Sequence, residues 1–483
     1  MSWRLALLVV AALGLRLAIA PVPSYWVDEA FTVRLVSDDF GGLLDDVAET
    51  ESTPPLYYVL AWAWSQAMGL DELGLRSLSA LAGAATVGLA WALGRWLAGP
   101  RAALAAGALA AVNPFLIWFS TEARAYALAT VLTAAALMLL VQLLDRSDLR
   151  RLAAWAALAA AALATHYATA FVIGAQAVIL LRRRGGRATW AASAFVAAVG
   201  VALIPLAIAQ RGNDHAQSLD ELSGPLGERV AQLPKQFAIG YDAPLEIVLA
   251  VAAVTLLVAG VVLALAGDTD LRRRALVPLT VGAAGVLAPL AATVAGLDVV
   301  ASRYLLPALV PLLVVAGAGL MAGPWRRGGP ALAITLIAGW LAVTVAVAAD
   351  PRLQTRADWQ GVEEALGRAP TGGRAIVVTP SNGALVLTDG YRLPASYEPA
   401  GPVTEIVLAA TGDLGGAPPT PPADPPAFAA AGFRLVERRR ERGYVLQRWR
   451  TRAPVAVDPA LLGQTGLDPA APSAVLWQAG DAR

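Results

Sequence analysis

Two adjacent carboxylates, Asp28 and Glu29, follow the first apolar run of the chain in the stretch Tyr25-Trp26-Val27-Asp28-Glu29-Ala30. If that run crosses a membrane, the pair lies at the boundary with water. A carboxylate there can act as a general base, or it can be a solvated helix end. Ionisable groups at membrane depth are costly and usually line a site or a pathway. We therefore interpret Asp28 and Glu29 as candidate catalytic residues.

Three further polar groups lie where later apolar runs end. They are Glu122 with Arg124 and Tyr126, His166 with Tyr167, and Arg303 with Tyr304. Arginine holds phosphate through charge-assisted hydrogen bonds, so Arg303, together with Arg124 or Arg16, is a candidate phosphate ligand. The candidate substrate-binding residues are Arg303, Tyr304, Arg124, Glu122, Tyr126, His166, Tyr57 and Arg16.

Each of these assignments has a structural alternative. Glu122 and Arg124 could pair with each other and hold a helical hairpin. His166 could be a hydrogen-bonding residue of a turn, and Arg303 could reach the membrane surface with its long side chain. Tyr57 could anchor a helix at the membrane interface.

A divalent cation is compatible with the acidic residues, although the chemistry does not require one. Asp28 and Glu122 would be its ligands, and the cation would offset phosphate charge. A second acidic run could also attract a cation, although such runs are usually solvated. It consists of Asp38, Asp39, Asp45, Asp46, Glu49 and Glu51.

The composition places these residues in a polytopic membrane protein. Of the 483 residues 57% are hydrophobic and 15% are charged, and the mean hydropathy is +0.59. Such values lie far from those of soluble proteins. The chain has no cysteine, which excludes disulfides and thiolate metal ligands. The net charge of +1 gives no reason to expect a nucleic-acid partner.

Eleven apolar runs approach the length of a membrane span. They lie at about 4–20, 75–94, 102–119, 125–144, 151–165, 168–181, 189–209, 245–266, 275–295, 303–322 and 330–349. Arginine-rich loops stay in the cytoplasm, and the clusters here include Arg182 to Arg184, Arg272 to Arg274, and Arg326 with Arg327. This rule places all four polar groups on the extracytoplasmic side.

The same rule decides two ambiguous runs. Residues 55–69 are apolar enough to span the membrane. A span there would, however, place every later arginine cluster on the extracytoplasmic side, against the rule. We predict instead an aromatic helix in the outer interface. Residues 151–181 carry arginines at both ends and therefore form a hairpin with a sunken polar turn at Thr165-His166-Tyr167. A sunken turn of this kind suggests a cavity.

After residue 350 charged residues and prolines return. Short β-like runs at 375–379, 405–408, 435–437 and 444–449 alternate with helix-like segments, which is typical of a small α/β domain. We predict a transmembrane domain over 1–350, with a catalytic first outer loop at 21–74, and an extracytoplasmic α/β domain over 351–483. Residues 411–426 are predicted to be a loop, and about the last thirty residues to be loosely structured.

The order of several motifs resembles that of the C-type (GT-C fold) membrane glycosyltransferases. The similarity is to the branch that contains the protein O-mannosyltransferases and the lipid A aminoarabinose transferase. The matching stretches are YWVDEAF, TPPLYYVL, WFSTEARAYAL, THYATAF, ASRYLLPALVP and ADWQGVEEAL, and they span most of residues 1–370. Thr53 stands where many relatives carry His, which weakens any inference about a metal in that loop.

The resemblance implies transfer of a sugar from a polyprenyl-phosphate carrier to an extracytoplasmic acceptor, with Asp28 in the catalytic position. The acceptor could be a protein, a glycolipid or a polysaccharide. The composition, rich in Arg and Ala, is typical of a prokaryote, so we expect the protein to lie in the plasma membrane with its site facing outward. Two alternatives remain. A transporter or flippase of a lipid-linked sugar is expected to carry charges near the bilayer midplane. An oligosaccharide ligase or polymerase is expected to have a large outer loop rich in Arg and His.

Overall fold

A computed structural model of the chain describes residues 3–212, 224–325, 327–350, 356–412, 424–468 and 471–480. The chain divides into two compact units. The helical unit consists of Met1–Ala20 and Leu35–Ala346, and the mixed unit consists of Pro21–Arg34 and Val347–Arg483. The predicted boundary at residue 350 lies close to this division, but residues 21–34 belong to the mixed unit instead of the transmembrane domain.

The helical unit contains a helix for each of the predicted spans. In chain order the helices are α1 (Trp3–Ile19), α2 (Val27–Ser37, which begins in the mixed unit), α3 (Phe40–Thr50), α4 (Leu56–Met68), α5 (Glu72–Val112), α6 (Pro114–Ser120), α7 (Tyr126–Asp145), α8 (Leu149–Thr165), α9 (Thr169–Arg184), α10 (Arg187–Ala202), α11 (Ile204–Ala209), α12 (Leu226–Ile239), α13 (Glu246–Leu265), α14 (Thr269–Val294), α15 (Leu306–Ala322) and α16 (Gly329–Ala349).

Within the described residues, seven of the helical segments are long and apolar enough to cross a membrane. They are Glu72–Val112, Tyr126–Asp145, Arg187–Ala209, Glu246–Leu265, Thr269–Val294, Ser302–Ala322 and Gly329–Ala349. Three other predicted spans form the shorter helices α1, α8 and α9, of 17, 17 and 16 residues. The protein is therefore a multi-pass membrane protein, and the number of eleven spans stays a prediction.

Helix α5 is broken where the sequence predicts the end of one span and the start of another. Gly99 has a φ of 81°, a left-handed conformation that glycine adopts without strain, and Ala98 next to it is also non-helical. Pro100 follows and can begin a helix because its missing N–H needs no partner there. The 41-residue element thus consists of two helices on either side of this break.

Helix α4 covers the aromatic run that was predicted to lie in the outer interface. Tyr57, Tyr58, Ala61 and Ser65 are buried and follow the spacing of one helix face. Because both tyrosine side chains have no exposed surface, they pack inside the protein and are not membrane anchors. The position of α4 relative to a membrane stays a prediction.

The predicted hairpin at residues 151–181 is confirmed as two helices. Helix α8 ends at Thr165 and α9 begins at Thr169, with a short turn between them. The backbone N–H of His166 donates to Ala162, and the His166 carbonyl accepts the Thr169 N–H, so the turn is bonded to both helices. The His166 side chain is 5% exposed. The turn therefore holds a polar ring inside the protein.

The mixed unit contains a five-stranded sheet in the order β3-β4-β2-β1-β5. Besides several helices of three to five residues, its elements are α17 (Trp359–Leu366), β1 (Arg374–Thr379), β2 (Val403–Thr411), β3 (Arg434–Arg440), β4 (Tyr444–Val455) and β5 (Ala474–Gln478). Strands β1 and β2 are parallel, and the other neighbouring pairs are antiparallel. The four predicted strands are all present.

Residues 474–478 differ from the expectation of a loosely structured tail, because they form the edge strand β5 beside β1.

Ionic contacts inside the sheet also connect its strands. The Glu405 carboxylate on β2 accepts hydrogen bonds from Arg448 and Arg450 on β4, at 2.8 and 2.7 Å. Residues 413–423 of the predicted loop and Arg326 of the last arginine cluster lie outside the described residues.

Candidate functional site

The acidic pair after α1 lies in the first turn of α2. Helix α2 begins at Val27, and the Trp26 carbonyl accepts the N–H groups of Glu29 and Ala30 at 3.0 Å. Carboxylates are favourable at this end of a helix because they interact with the positive end of the helix dipole. The Asp28 side chain is 7% exposed and Glu29 is fully buried. The local sequence thus places two carboxylates at the start of one helix, largely out of water.

The charge of Glu29 is compensated by an arginine that belongs to the same mixed unit. An Arg356 Nη1 atom lies 3.7 Å from a Glu29 carboxylate oxygen, and the Arg356 guanidinium carbon lies 6.0 Å from the centre of the Trp26 ring. A buried carboxylate needs such compensation to stay ionised. The catalytic role predicted for Glu29 stays a prediction, while the structure shows that its charge is already offset.

The segment before α2 is bonded to the rest of the mixed unit. The Ser24 hydroxyl accepts the Gln360 N–H at 3.0 Å, and Asp358 caps α17 by accepting the Gly361 N–H at 2.9 Å. The Tyr25 N–H donates to the Tyr391 hydroxyl at 3.0 Å. These bonds explain why residues 21–34 form one compact unit with the C-terminal sheet.

In the helical unit, Arg124 forms a buried ion pair with Glu51. Arg124 Nη1 and Nη2 lie 2.7 and 3.0 Å from the two Glu51 carboxylate oxygens, which is a bidentate arrangement. The guanidinium carbon also lies 5.7 Å from the centre of the Tyr58 ring. Arg124 was expected to pair with Glu122 or to bind phosphate. The structure shows a different partner, and phosphate binding by Arg124 stays a prediction.

The turn between α6 and α7 carries Glu122 and Arg124, and α7 begins at Tyr126; all three residues are buried. Tyr126 contacts the next predicted group, because the centre of its ring lies 5.5 Å from the centre of the His166 ring. His166 in turn lies 5.0 Å from the Tyr304 ring. Ring contacts therefore join the three polar groups of the helical unit in one cluster.

Arg303 completes this cluster. It lies in a short 3-10 helix, Ser302–Leu305, directly before α15, and its side chain is 4% exposed. Its guanidinium carbon lies 5.7 Å from the centre of the Tyr304 ring. We call Arg124, Tyr126, His166, Arg303 and Tyr304 the polar cluster. It provides guanidinium and hydrogen-bond donors inside a bundle of apolar helices, which is the chemistry that a buried anion requires.

Arg16 occupies a different place within the bundle. Its Nε donates to the Ser120 hydroxyl at 2.8 Å, and its Nη1 donates to the carbonyls of Ala12 and Ala111 at 3.1 and 3.0 Å. A further bond runs from Nη2 to the Ala110 carbonyl at 3.3 Å. These bonds tie α1 to α5 and α6. Phosphate binding by Arg16 stays a prediction, but its three nitrogens already have protein acceptors.

The predicted cation ligands Asp28 and Glu122 belong to different units. Over the ranges that the structure describes, no three His, Asp or Glu side chains lie close enough together to hold a metal ion. A divalent cation stays an open expectation.

Two residues with clear roles in these arrangements escaped the sequence interpretation. Glu51 was grouped with the solvated acidic run, yet it is the buried partner of Arg124. Its position just before the TPPLYYVL motif was the available signal. Arg356 was not singled out, although it directly precedes the ADWQGVEEAL motif and compensates Glu29.

Comparison with known proteins supports the resemblance in both sequence and fold. Residues 52–209 match the model of the family described as dolichyl-phosphate-mannose-protein mannosyltransferase. Comparison with curated proteins finds no significant match.

Among solved structures, ArnT from Cupriavidus metallidurans bound to undecaprenyl phosphate is similar, with a TM-score of 0.56 and 13% identity. The match covers 92% of this chain and 97% of that chain. Its apo state matches with a TM-score of 0.55, 13% identity and the same coverage. This chain therefore has the fold of the C-type membrane glycosyltransferases, and its residues 52–209 match the model of their protein-mannosyltransferase family.

Proposed function

We propose that this protein transfers a sugar from a polyprenyl-phosphate carrier to a hydroxyl group of an extracytoplasmic acceptor, with inversion at the anomeric carbon. The observation that carries the proposal is the polar cluster in the helical unit. A bundle of apolar helices that buries guanidinium groups, an imidazole and tyrosines is suited to a ligand that combines an anionic head with a long hydrocarbon chain.

The phosphate of the carrier would bind to the polar cluster. Arg303 supplies a positive charge that is almost completely withdrawn from solvent, because the residue is only 4% exposed. A guanidinium group in such surroundings interacts more strongly with an anion than it would in water. As the sugar departs, negative charge on the phosphate grows, so the same contacts strengthen in the transition state.

The apolar faces of the helices suit the carrier chain and the surrounding lipid. Helix α13 exposes Ile247, Val251, Val258 and Val262, with more than half of the surface of each side chain accessible. In water such a surface would be unfavourable, whereas a bilayer or a polyprenyl chain covers it at no cost.

Asp28 would act as the general base. It takes the proton of the acceptor hydroxyl while the acceptor oxygen bonds to the anomeric carbon, and the bond from that carbon to the phosphate oxygen breaks. The electron pair leaves with the polyprenyl phosphate, which is stable as an anion and needs no proton from the protein. The step is a single displacement, so the anomeric configuration inverts.

The proposal is tested with the purified protein in nanodiscs and a panel of polyprenyl-phosphate sugars. Acceptors would be a hydroxyl-containing peptide, a glycolipid fraction and a cell-envelope polysaccharide. We expect transfer to one acceptor class, and inversion in the product's anomeric NMR signals. Donor binding without release of sugar to any acceptor would contradict the proposal. Lipid flipping in proteoliposomes would then become the function to measure.

Replacing Arg303 with Gln should weaken the binding of undecaprenyl phosphate by roughly 10- to 100-fold, which is the effect of losing a hydrogen bond to a charged group. Arg303→Lys should recover part of the affinity because it restores the charge without the forked geometry. The exposed Arg101 serves as the matched control, since Arg101→Gln removes a cation from another part of the chain. Unchanged binding by Arg303→Gln, measured by fluorescence titration, would exclude Arg303 as a phosphate ligand.

A further inference from the structure

The backbone around His166 determines which nitrogen of its imidazole ring carries the proton and can donate a hydrogen bond. The backbone N–H of Ala168 donates to the imidazole Nδ1 at 3.1 Å. A nitrogen that accepts a hydrogen bond carries no proton, so the proton of the neutral ring is on Nε2. The tautomer thus follows from the turn itself, and Nε2 is a donor.

That donor has no acceptor in the described part of the chain. Nε2 of His166 is buried and forms no hydrogen bond with any described residue. Buried polar groups are nearly always hydrogen-bonded, and an exception calls for an explanation such as a missing ligand. An apolar side chain would fill the same space without the free-energy cost of burying a donor that has no acceptor. A histidine at this position is therefore explained if a bound ligand accepts the hydrogen bond.

The ring is also held in position. The rings of Tyr126 and Tyr304 pack against it, with their centres 5.5 and 5.0 Å from the centre of the imidazole. Their planes are tilted by 45° and 58° relative to the imidazole plane. The His166 backbone is bonded to α8 through Ala162 and to α9 through Thr169. A ring fixed at its backbone, at Nδ1 and between two tyrosines directs its Nε2–H with little freedom.

We infer that His166 donates its Nε2–H to a phosphate oxygen of the polyprenyl-phosphate carrier, and that it serves as a neutral positioning residue and not as a base. This inference rests on the proposed function, since it assigns a contact to the carrier of that reaction. An anionic acceptor fits this place because the Arg303 guanidinium carbon lies 5.7 Å from the centre of the Tyr304 ring, which itself packs against His166. A neutral donor beside a cation adds a directed bond to the phosphate without adding a second repelling charge.

Two variants separate this role from a purely structural one. The side-chain oxygen of Asn takes the place of Nδ1, so His166→Asn can still accept the Ala168 N–H but cannot reach the position of Nε2. The side-chain nitrogen of Gln takes the place of Nε2, so His166→Gln keeps the donor and loses the bond to the turn. If the role of His166 is purely structural, His166→Asn should preserve the affinity for the lipid better than His166→Gln. If His166 donates to the phosphate, His166→Gln should preserve it better.

The experiment measures the melting temperature and the affinity for undecaprenyl phosphate of the wild type and both variants in detergent. We expect His166→Asn to melt near the wild type and to bind the lipid roughly 10- to 100-fold more weakly. His166→Gln should melt lower and bind more tightly than His166→Asn. Undecaprenol, which lacks the phosphate, should bind all three proteins equally, and inorganic phosphate should not compete at concentrations near those of the lipid.

Wild-type affinity in His166→Asn would overturn the inference, and so would a loss confined to the sugar-linked donor, because the contact would then be to the sugar. In both cases the proposed function would stand, since the wild type would still bind the carrier and transfer sugar. A wild type that binds no undecaprenyl phosphate would instead overturn the proposed function together with this inference.

Discussion

Replacing Asp28 with Asn is expected to lower the rate of sugar transfer by about 10²- to 10⁴-fold, the usual contribution of a general base. Asn keeps the shape of the side chain and removes its ability to accept a proton. The affinity for the polyprenyl-phosphate donor should change little, because the phosphate contacts are assigned to the polar cluster. Rate and donor affinity are measured separately, by product formation under single-turnover conditions and by fluorescence titration.

Asp38 provides the control for this variant. It lies in the same acidic part of the chain, and its side chain is exposed. Asp38→Asn removes the same charge without touching a buried group, so its transfer rate should equal that of the wild type. If Asp28→Asn transferred sugar at the wild-type rate, another residue would be the base. If it lost donor binding as well, Asp28 would have a role in holding the substrate.

Breaking the ion pair between Arg124 and Glu51 is expected to destabilise the helical unit by about 3–5 kcal/mol, because the remaining partner becomes an uncompensated buried charge. The two side chains are 2% and 0% exposed, so water cannot replace the missing partner. Glu51→Gln changes the charge with almost no change in volume. Unfolding of the purified protein in increasing SDS, followed by tryptophan fluorescence, measures the loss.

Two controls define the origin of this effect. The double variant Glu51→Gln with Arg124→Gln should recover part of the stability, since no uncompensated charge remains. The pair of Arg151 and Asp148 is exposed on both sides, at 42% and 38%, so Arg151→Gln should leave the stability almost unchanged. Normal stability together with weakened carrier binding in Arg124→Gln would show that Arg124 acts as a phosphate ligand instead.

The amino-acid sequence predicted the elements of this protein because their signals are local. A span needs about 20 apolar residues wherever it lies, so runs such as 125–144 and 330–349 identified helices. The arginines at both ends of 151–181 predicted a hairpin, which the structure confirms. Short β-like runs predicted the strands β1 to β4, whereas the edge strand β5 lies in the tail that was predicted to be loosely structured and was not recognised.

The polar cluster was predicted as a set of residues at the same ends of several helices, and the structure brings Tyr126, His166 and Tyr304 together. The partners of individual charges could not be predicted. Arg124 and Glu51 are 73 residues apart in the chain, and the sequence contains many carboxylates that could have paired with Arg124. Which of them does so depends on how α3, α4 and the turn before α7 pack.

The sequence by itself thus determined the membrane-spanning character, the order of most helices and of the strands β1 to β4, and the residue types available for phosphate chemistry, because hydropathy and periodicity act over one element at a time. The tertiary structure decided that residues 21–34 belong to the same unit as the C-terminal sheet, that Arg16 ties helices together, and that His166 directs Nε2–H as a donor. These outcomes depend on contacts between distant segments, and a buried charge or donor acquires its role only from the groups that pack around it.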